Sequence, residues 1–503
     1  MGKWNSKINI EKKIKKEIKK EIKEVSETSS SNKQIVLITY LFVFVFLGLM
    51  GYITKFMLID SGDIINNVYN PRQDILEVQN RRGSILSKDG DILAYTMIND
   101  KGEELRVYPY HNLFSHVVGY STKGKTGMEA LGNFYLLSSH ETMGYKLKND
   151  LSGTKNQGDN IITTFDVNIQ EIASKALGSY QGAIVVMEPS TGKILAMVSN
   201  PNFDPNEINS IWDNLINDPK SSVLLNRATL GLYPPGSTFK ILTALEFIRE
   251  NPETYKDYSF TCTGKFHFDD DTIKCYKGIH HGVLNLSESF AHSCNSSFAN
   301  IGVSLEKESF SETLNQMLFN DNLPIELNNN KSSVTVNETM SDASMMQTSI
   351  GQGSTQVTPL HMAMITSIIA NNGKLMKPYF IDRIENADGS YIKKISPDMY
   401  GTLMSESESS ILTSMMADVV EYGTADLLMD SNYKAAGKTG SAEYSKSKGE
   451  SHAWFTGFAP YDHPQVVVTI IVEGAGTGGD YAVPMAKRIF DAYFEKYGII
   501  EKK

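Results

Sequence analysis

Basic charge is scarce in this chain outside one end. The formal net charge over 503 residues is −10, yet residues 1–33 alone hold ten Lys against five Glu. The remainder is acidic, and a body without a basic face grips phosphate backbones poorly, so nucleic acid is not an expected partner. Cysteine is scarcer still. Cys262, Cys275 and Cys294 are the only three, too few and too odd a number for a fold stapled by disulfides. No internal repeat is present and no low-complexity segment follows the tail, which sets solenoids and propellers aside. What remains is ordinary: 41% hydrophobic and 21% charged residues, a globular composition in a chain long enough for two or three folding units.

Charge is wholly missing from Gln34 to Thr54, QIVLITYLFVFVFLGLMGYIT, a run of 21 residues. As a helix this run spans roughly 31 Å, the thickness of a hydrocarbon core. A transmembrane helix is therefore expected over residues 34–54, preceded by a Lys-rich tail, 1–33. The Lys-rich side is expected in the cytoplasm, with everything from about Asp60 onward outside the membrane. A cleaved signal peptide is the competing reading, but the run exceeds an ordinary h-region and LGLMGYIT offers no small-x-small cleavage site. Within the tail, Ile10, Ile14, Ile18 and Ile22 recur every four residues. They describe either an amphipathic helix on anionic lipid or a solvated charged helix.

Residues 60–155 hold few long apolar runs and several turn signals (Asn70-Pro71, Lys88-Asp89-Gly90, Gly124), the pattern of a small mixed module. From Gly158 the pattern is regular. GAIVVMEPSTGKILAMVSN reads as two strands joined at Pro189-Ser190-Thr191-Gly192. KAAGKTGSAEY, HAWFTGFAP and QVVVTIIVEG read as three more, and AKRIFDAYFEKYG as a closing helix. KILTALEFIRE and PLHMAMITSIIANNG are helical stretches between the two strand groups. Strands at both ends with helices between them give an α+β domain over 158–495 whose sheet is completed by the last strands.

Two patterns resemble sites. Gly119 to Thr126, GYSTKGKT, fits a phosphate-binding loop at every position, but such a loop needs a buried strand before it and a long helix after it. Here the upstream strand is weak and Gly127 follows directly, so a surface turn is expected. Cys262, His267, Cys275 and His280 or His281 loosely match zinc spacing. Free thiols or a Cys262–Cys275 disulfide are the simpler readings; Cys294 is then left over as a small buried packing residue. No metal and no cofactor is assigned.

Ser-x-x-Lys carries little by itself, since Ser30, Ser152, Ser190, Ser304, Ser390, Ser431 and Ser445 also have Lys three residues on. Ser237 and Lys240 stand out by context. Tyr233-Pro234-Pro235-Gly236 breaks the chain just before KILTALEFI, placing Ser237 at a helix start and Lys240 one turn along on the same face. A serine hydroxyl attacks only when a base takes its proton, and burial or a second cation would make Lys240 neutral enough to do so. Backbone N–H groups at the helix start offer an oxyanion site. In chain order follow Ser293-Cys294-Asn295, a turn between helices, and Lys438-Thr439-Gly440-Ser441 on a strand. These supply a hydroxyl, an amide and a second ammonium for proton relay, amide alignment and recognition of an anionic terminus, with Gly440 leaving room for a substrate backbone.

These motifs resemble the penicillin-binding protein transpeptidases, for which S-x-x-K, S-x-N and K-T-G recur in this order. The resemblance extends through NRATLGLYPPGSTFK, SFAHSCNSSFANIG, GQGSTQVTPLHMA, AGKTGSAEY and AWFTGFAP. Upstream, YNPR (Tyr69 to Arg72), NRRGSIL (Asn80 to Leu86) and Gly127-Met128-Glu129 are similar to the pedestal, or dimerisation, module of class B proteins, and the short outer module is most like the small PbpA type. The resemblance implies a serine β-lactamase-like fold, an antiparallel sheet flanked by helices, plus a small α/β pedestal and the transmembrane helix. It leaves no room for a glycosyltransferase domain. It further implies peptidoglycan D,D-transpeptidase activity. Ser237 would be acylated by the penultimate D-Ala of a stem pentapeptide, with Lys240 as base, Ser293 as relay and Lys438 steadying it. Asn295 would align the substrate amide, and Thr439, Gly440 and Ser441 would line the site, the N–H groups of Ser237 and Ser441 forming the oxyanion hole. β-Lactams are the implied inhibitors, and a membrane glycosyltransferase the implied neighbour. A β-lactamase or β-lactam sensor would share Ser237, Lys240 and Lys438, but no Glu-x-x-Leu-Asn loop is found for rapid deacylation. A scaffolding role is compatible with the enzyme reading.

Overall fold

The computed structural model describes residues 2–57, 72–445 and 450–500. The chain divides into two units, Met1–Asn70 and Pro71–Lys503. In the first, tail and apolar run form one continuous helix, α1 (Gly2–Lys55). Its stretch Ile35–Lys55 has a mean hydropathy of 2.4 and is not buried by protein at all, so it is long and apolar enough to cross a membrane. Ile10, Ile14, Ile18 and Ile22 are exposed on the same helix.

The second unit is organised by a five-stranded sheet. Its strands are β1 (Gly182–Met187), β2 (Ile194–Asn200), β3 (Ala436–Ser445), β4 (Glu450–Ala459) and β5 (Val466–Val472). They lie in the order β3-β4-β5-β1-β2, and every neighbouring pair is antiparallel. The last strands thus complete the sheet begun by the first hairpin, as the sequence implies. β1 and β5 read as unbroken apolar runs because they are buried at every position, which requires cover on both faces. Helix Pro359–Ala370, buried throughout, packs on β1, β4 and β5, and helix Val483–Tyr497 on β4 and β5.

A second, six-stranded sheet is assembled from distant pieces of chain. Its order is Tyr391–Lys394, Ile381–Glu385, Asn160–Thr163, Ile85–Leu86, Ile92–Ile98, Glu104–Val107. Beside it the NRRGSIL and Gly-Met-Glu elements meet. Arg82 Nε donates to Glu129 Oε2 at 2.6 Å, and Arg106 Nε donates to Glu129 Oε1 at 2.7 Å. Arg82 Nη2 donates to the Glu129 carbonyl at 2.6 Å, and Tyr108 OH to its carboxylate at 3.2 Å. The Glu129 side chain is fully buried, and its two Arg partners hold its carboxyl below the usual range against the opposing pull of burial. Of YNPR, Tyr69, Asn70 and Pro71 lie outside the described residues. GYSTKGKT is a turn, closed by Thr126 N donating to Tyr120 O at 3.1 Å. It follows a short helical turn, His111–Phe114, rather than a strand, and leads into the five-residue helix Gly127–Leu131. A phosphate-binding loop has neither flank.

Removing one member of a buried ion network leaves its partners charged and unpaired. Glu129→Ala is therefore expected to lower the stability of this unit by about 3–5 kcal/mol, measured by denaturant unfolding. Surface Lys175→Ala, which breaks only an exposed pair with Glu171, should change it by less than about 1 kcal/mol.

Candidate active site

The nucleophile's turn is set by residues on either side of it. Gly236–Phe239 forms a single tight helical turn that runs directly into helix α2 (Lys240–Glu250). Gly236 is left-handed, φ +54°, and a Cβ there would stand 3.0 Å from Ser441 O and from Ala442 Cβ. Its N–H donates to Gly351 O at 2.9 Å. The Gly440 side of β3 meets the same turn: a Cβ at Gly440 would lie 3.1 Å from Pro235 O and from Thr238 Cγ2. Gly440 thus lets the Ser237 turn seat on the strand that carries Lys438, Thr439 and Ser441. Trp454, paired with Gly440 across β3 and β4, donates from Nε1 to Pro234 O at 3.1 Å.

Beneath the half-exposed Ser237 lie two ammonium groups, both fully buried. Lys240 Nζ donates to Ser293 O and to Asn295 Oδ1, each at 2.7 Å, and to Ser293 Oγ at 3.3 Å. Lys438 Nζ donates to Ser293 Oγ at 3.0 Å and to Thr439 O at 3.2 Å. Ser293 is thus the hub between the lysines. It sits between helices α3 (Leu286–Ala291) and α4 (Asn295–Ser304) with φ +54°, and the left-handed turn presents both its carbonyl and its hydroxyl to Lys240. Asn295 spends its other amide end on Lys274 O, at 3.1 Å, and Thr439 Oγ1 is bonded to Thr424 Oγ1. Phe298 and Phe290 wall the two ammoniums, each centroid 5.4 Å from its Nζ.

Among the described residues neither lysine has a carboxylate partner. Burial alone pushes Lys240 down to about 8, the nearby Cys294 and Cys275 only partly opposing it. Burial and then the charge of Lys240 push Lys438 well below the usual lysine range. Ser237 Oγ makes no hydrogen bond to Lys240 among the described residues, because the three donors of the ammonium are spent on Ser293 and Asn295. Losing the proton frees a lone pair while leaving two N–H donors for Ser293 O and Asn295 Oδ1. The neutral amine would thus keep Ser293 O and Asn295 Oδ1 as partners.

The sequence-predicted residues converge from three places: Ser237 and Lys240 at the start of α2, Ser293 and Asn295 around the turn before α4, and Lys438, Thr439, Gly440 and Ser441 on β3. Trp454, Gly351, Phe290 and Phe298 were not singled out. Their roles depend on strand pairing and packing between remote segments, which no local pattern reports. Of the readings that the cysteine spacing leaves open, the free thiols hold: Cys262, Cys275 and Cys294 are all free and buried. Cys262 and Cys275 are not disulfide-bonded, their Sγ atoms standing 3.6 Å apart. Cys294 joins them, its Sγ 3.7 Å from that of Cys275. Of the histidines, His281 brings Nδ1 to 3.3 Å from Cys262 Sγ, while His267 engages Thr272 Oγ1 at 2.6 Å.

A serine on a tight turn, a buried lysine one turn on, and a second lysine bridged to it through a hydroxyl have the make-up of a serine acyl-transfer site. The chain belongs to the penicillin-binding protein transpeptidase family: the penicillin binding protein transpeptidase domain matches residues 182–491, and the penicillin binding protein A dimerisation domain matches residues 82–161. It is similar to the peptidoglycan D,D-transpeptidase PbpA of Mycolicibacterium smegmatis, 31% identical over 83% of this chain and 90% of the relative. Among solved structures it is similar to a D,D-transpeptidase domain from Eggerthella lenta (TM-score 0.76, 29% identical, 84% of this chain and 100% of that one). A ceftriaxone acyl-enzyme complex of penicillin-binding protein A from M. tuberculosis matches with TM-score 0.76 and 29% identity over 84% of this chain and 99% of that one.

If Lys240 is the base, the acylation rate by a penicillin should rise with pH through about 8, because the neutral amine is the active form. Below that pH it should fall about tenfold per unit, read by stopped-flow acylation. Lys240→Arg, whose guanidinium cannot deprotonate, should lose about a hundred- to ten-thousandfold in acylation rate at every pH.

Proposed function

We propose that the chain cross-links peptidoglycan through an acyl-enzyme on Ser237. Ser237 Oγ attacks the carbonyl of the penultimate D-Ala of a stem pentapeptide while Lys240 takes the hydroxyl proton. The C–N bond to the terminal D-Ala breaks, and Ser293, held by Lys438, passes the proton to the leaving amine. An amine from a neighbouring stem then attacks the ester, the C–O bond to Ser237 breaks, and the serine regains a proton. Asn295 aligns the substrate amide, Thr439 and Ser441 hold its carboxylate, and the N–H groups of Ser237 and Ser441 stabilise the oxyanion. A β-lactam enters the same path through its strained amide and stops at the acyl-enzyme, which makes the chain a covalent penicillin binder.

The observation that carries this reading is the Lys240–Ser293–Lys438 hydrogen-bonded chain beneath a serine turn seated on β3. Residues 60–155 serve as the pedestal and 158–495 as the catalytic domain. The tail and helix anchor the protein once in the membrane, Lys-rich side in the cytoplasm, with a membrane glycosyltransferase supplying the glycan strands.

Labelled penicillin should bind the full-length protein in detergent at about one equivalent, and Ser237→Ala should take up none. A mutant that labels as fully as the wild type would overturn the assignment.

A further inference from the structure

The segment Phe260–Leu284, an insertion of two short hairpins between α2 and α3, packs on α4 but has a small core of its own. Phe260–Cys262 pairs with Gly282–Leu284, and Lys265–Phe268 with Asp271–Lys274, and most of these strand residues are exposed or half-buried. Its buried cluster consists of Cys262, Cys275, Leu284 and Cys294, with Phe260 packed against it. A module with so small an apolar core ordinarily needs a covalent or metal staple.

We infer that Cys262, Cys275, His281 and Cys294 bind one zinc ion, which ties this insertion to the Ser293–Asn295 turn of the acyl-transfer site. The four ligand atoms lie within 4.8 Å of one another. A tetrahedral zinc with bonds of about 2.3 Å to sulfur and about 2.0 Å to nitrogen sets sulfurs about 3.8 Å apart and sulfur and nitrogen about 3.5 Å apart. The separations are 3.6 and 3.7 Å between sulfurs and 3.3 Å from Cys262 Sγ to His281 Nδ1. Each sulfur also receives a donor of the kind that stabilises a bound thiolate: Gly264 N to Cys262 Sγ and Ser297 N to Cys294 Sγ, both at 3.4 Å, and Ser296 Oγ to Cys275 Sγ at 3.1 Å. Three soft thiolates and an imidazole select zinc over the hard cations, which take oxygen ligands. Four protein ligands leave no open position, so the ion is structural. A disulfide between any two of the sulfurs would leave the third, and the imidazole, without a role.

Cys294 stands between Ser293 and Asn295 and caps α4, and Asn295 reaches Lys274 of the insertion. A zinc ion there anchors the left-handed turn on which both lysines converge. The metal site stands apart from the acyl-transfer reading; only its effect on acylation rests on that reading.

Full-length protein, purified in detergent without a histidine tag or added metal, should carry about one zinc per chain. Cobalt exchanged into it should show tetrahedral ligand-field bands with thiolate charge-transfer absorption. Zinc near zero, or a Cys262–Cys275 disulfide found by differential alkylation of the native protein, would overturn the site. Because Cys262→Ser or His281→Ala can fail to fold, the effect on acylation is read on the wild type. Chelating the zinc should lower Tm and slow penicillin acylation at least about tenfold, both recovering when zinc is restored. A zinc-free protein that acylates at the original rate would overturn the link to the Ser293 turn. Loss of labelling in all forms, with zinc still bound, would count against the acyl-enzyme reading alone.

Discussion

The burial of two lysine ammoniums without a carboxylate is the constraint around which this site is built. Removing such an ion from water costs several kcal/mol, and among the described residues no carboxylate offsets it, the nearby cysteines doing so only in part for Lys240. The compensation is dipolar: Ser293 O and Asn295 Oδ1 for Lys240, Thr439 O for Lys438, and Ser293 Oγ shared by both. A salt bridge would have been the more ordinary solution, and it would have held the amine protonated. Neutral acceptors solvate the ammonium well enough to keep it in place, yet leave its pKa depressed. The same burial that costs stability is what would let Lys240 serve as a base in the proposed mechanism.

The other Ser-x-x-Lys pairs show the difference. Lys155 pairs with Glu104, Lys193 with Asp382 and Lys307 with Asp342, at 3.1 to 3.4 Å and partly exposed. Spacing is common to all of them. What separates Lys240 is that α2 is buried through its first nine residues, a property the apolar run KILTALEFI announces. That is why context identified the nucleophile where the motif alone did not. The main strands and closing helix were legible for the same reason: long apolar runs with one burial pattern need no knowledge of their partners. The six-stranded sheet was not legible as a unit. Ile381–Glu385 joins Asn160–Thr163 across more than two hundred residues of sequence, and pairing at that distance leaves no local trace. Trp454 and Gly351 were hidden likewise, since they act on the nucleophile's turn from segments that are its neighbours only after the sheet has formed.

The clustering of the cysteines was not legible, for a different physical reason. Two cysteines flanking a polar loop suggest a pair, and a third inside Ser-x-Asn suggests packing, because the middle position of that motif faces away from substrate. The fold turns that side chain toward the hairpins, so the residue with no part in the acyl-transfer path lies at the base of the turn that organises it. A left-handed φ at a non-glycine residue costs about 1–2 kcal/mol, and Ser293 adopts one. Such a conformation persists only when its surroundings over-determine it. Lys240 and Lys438 hold the turn from the sheet and central-helix side through hydrogen bonds that the proposed proton transfers would loosen. Cys294 and the Asn295–Lys274 contact hold it from the hairpin side. If Ser293 relays protons as proposed, it needs an anchor outside that relay, and in this chain Cys294 and the hairpins behind it stand in that position.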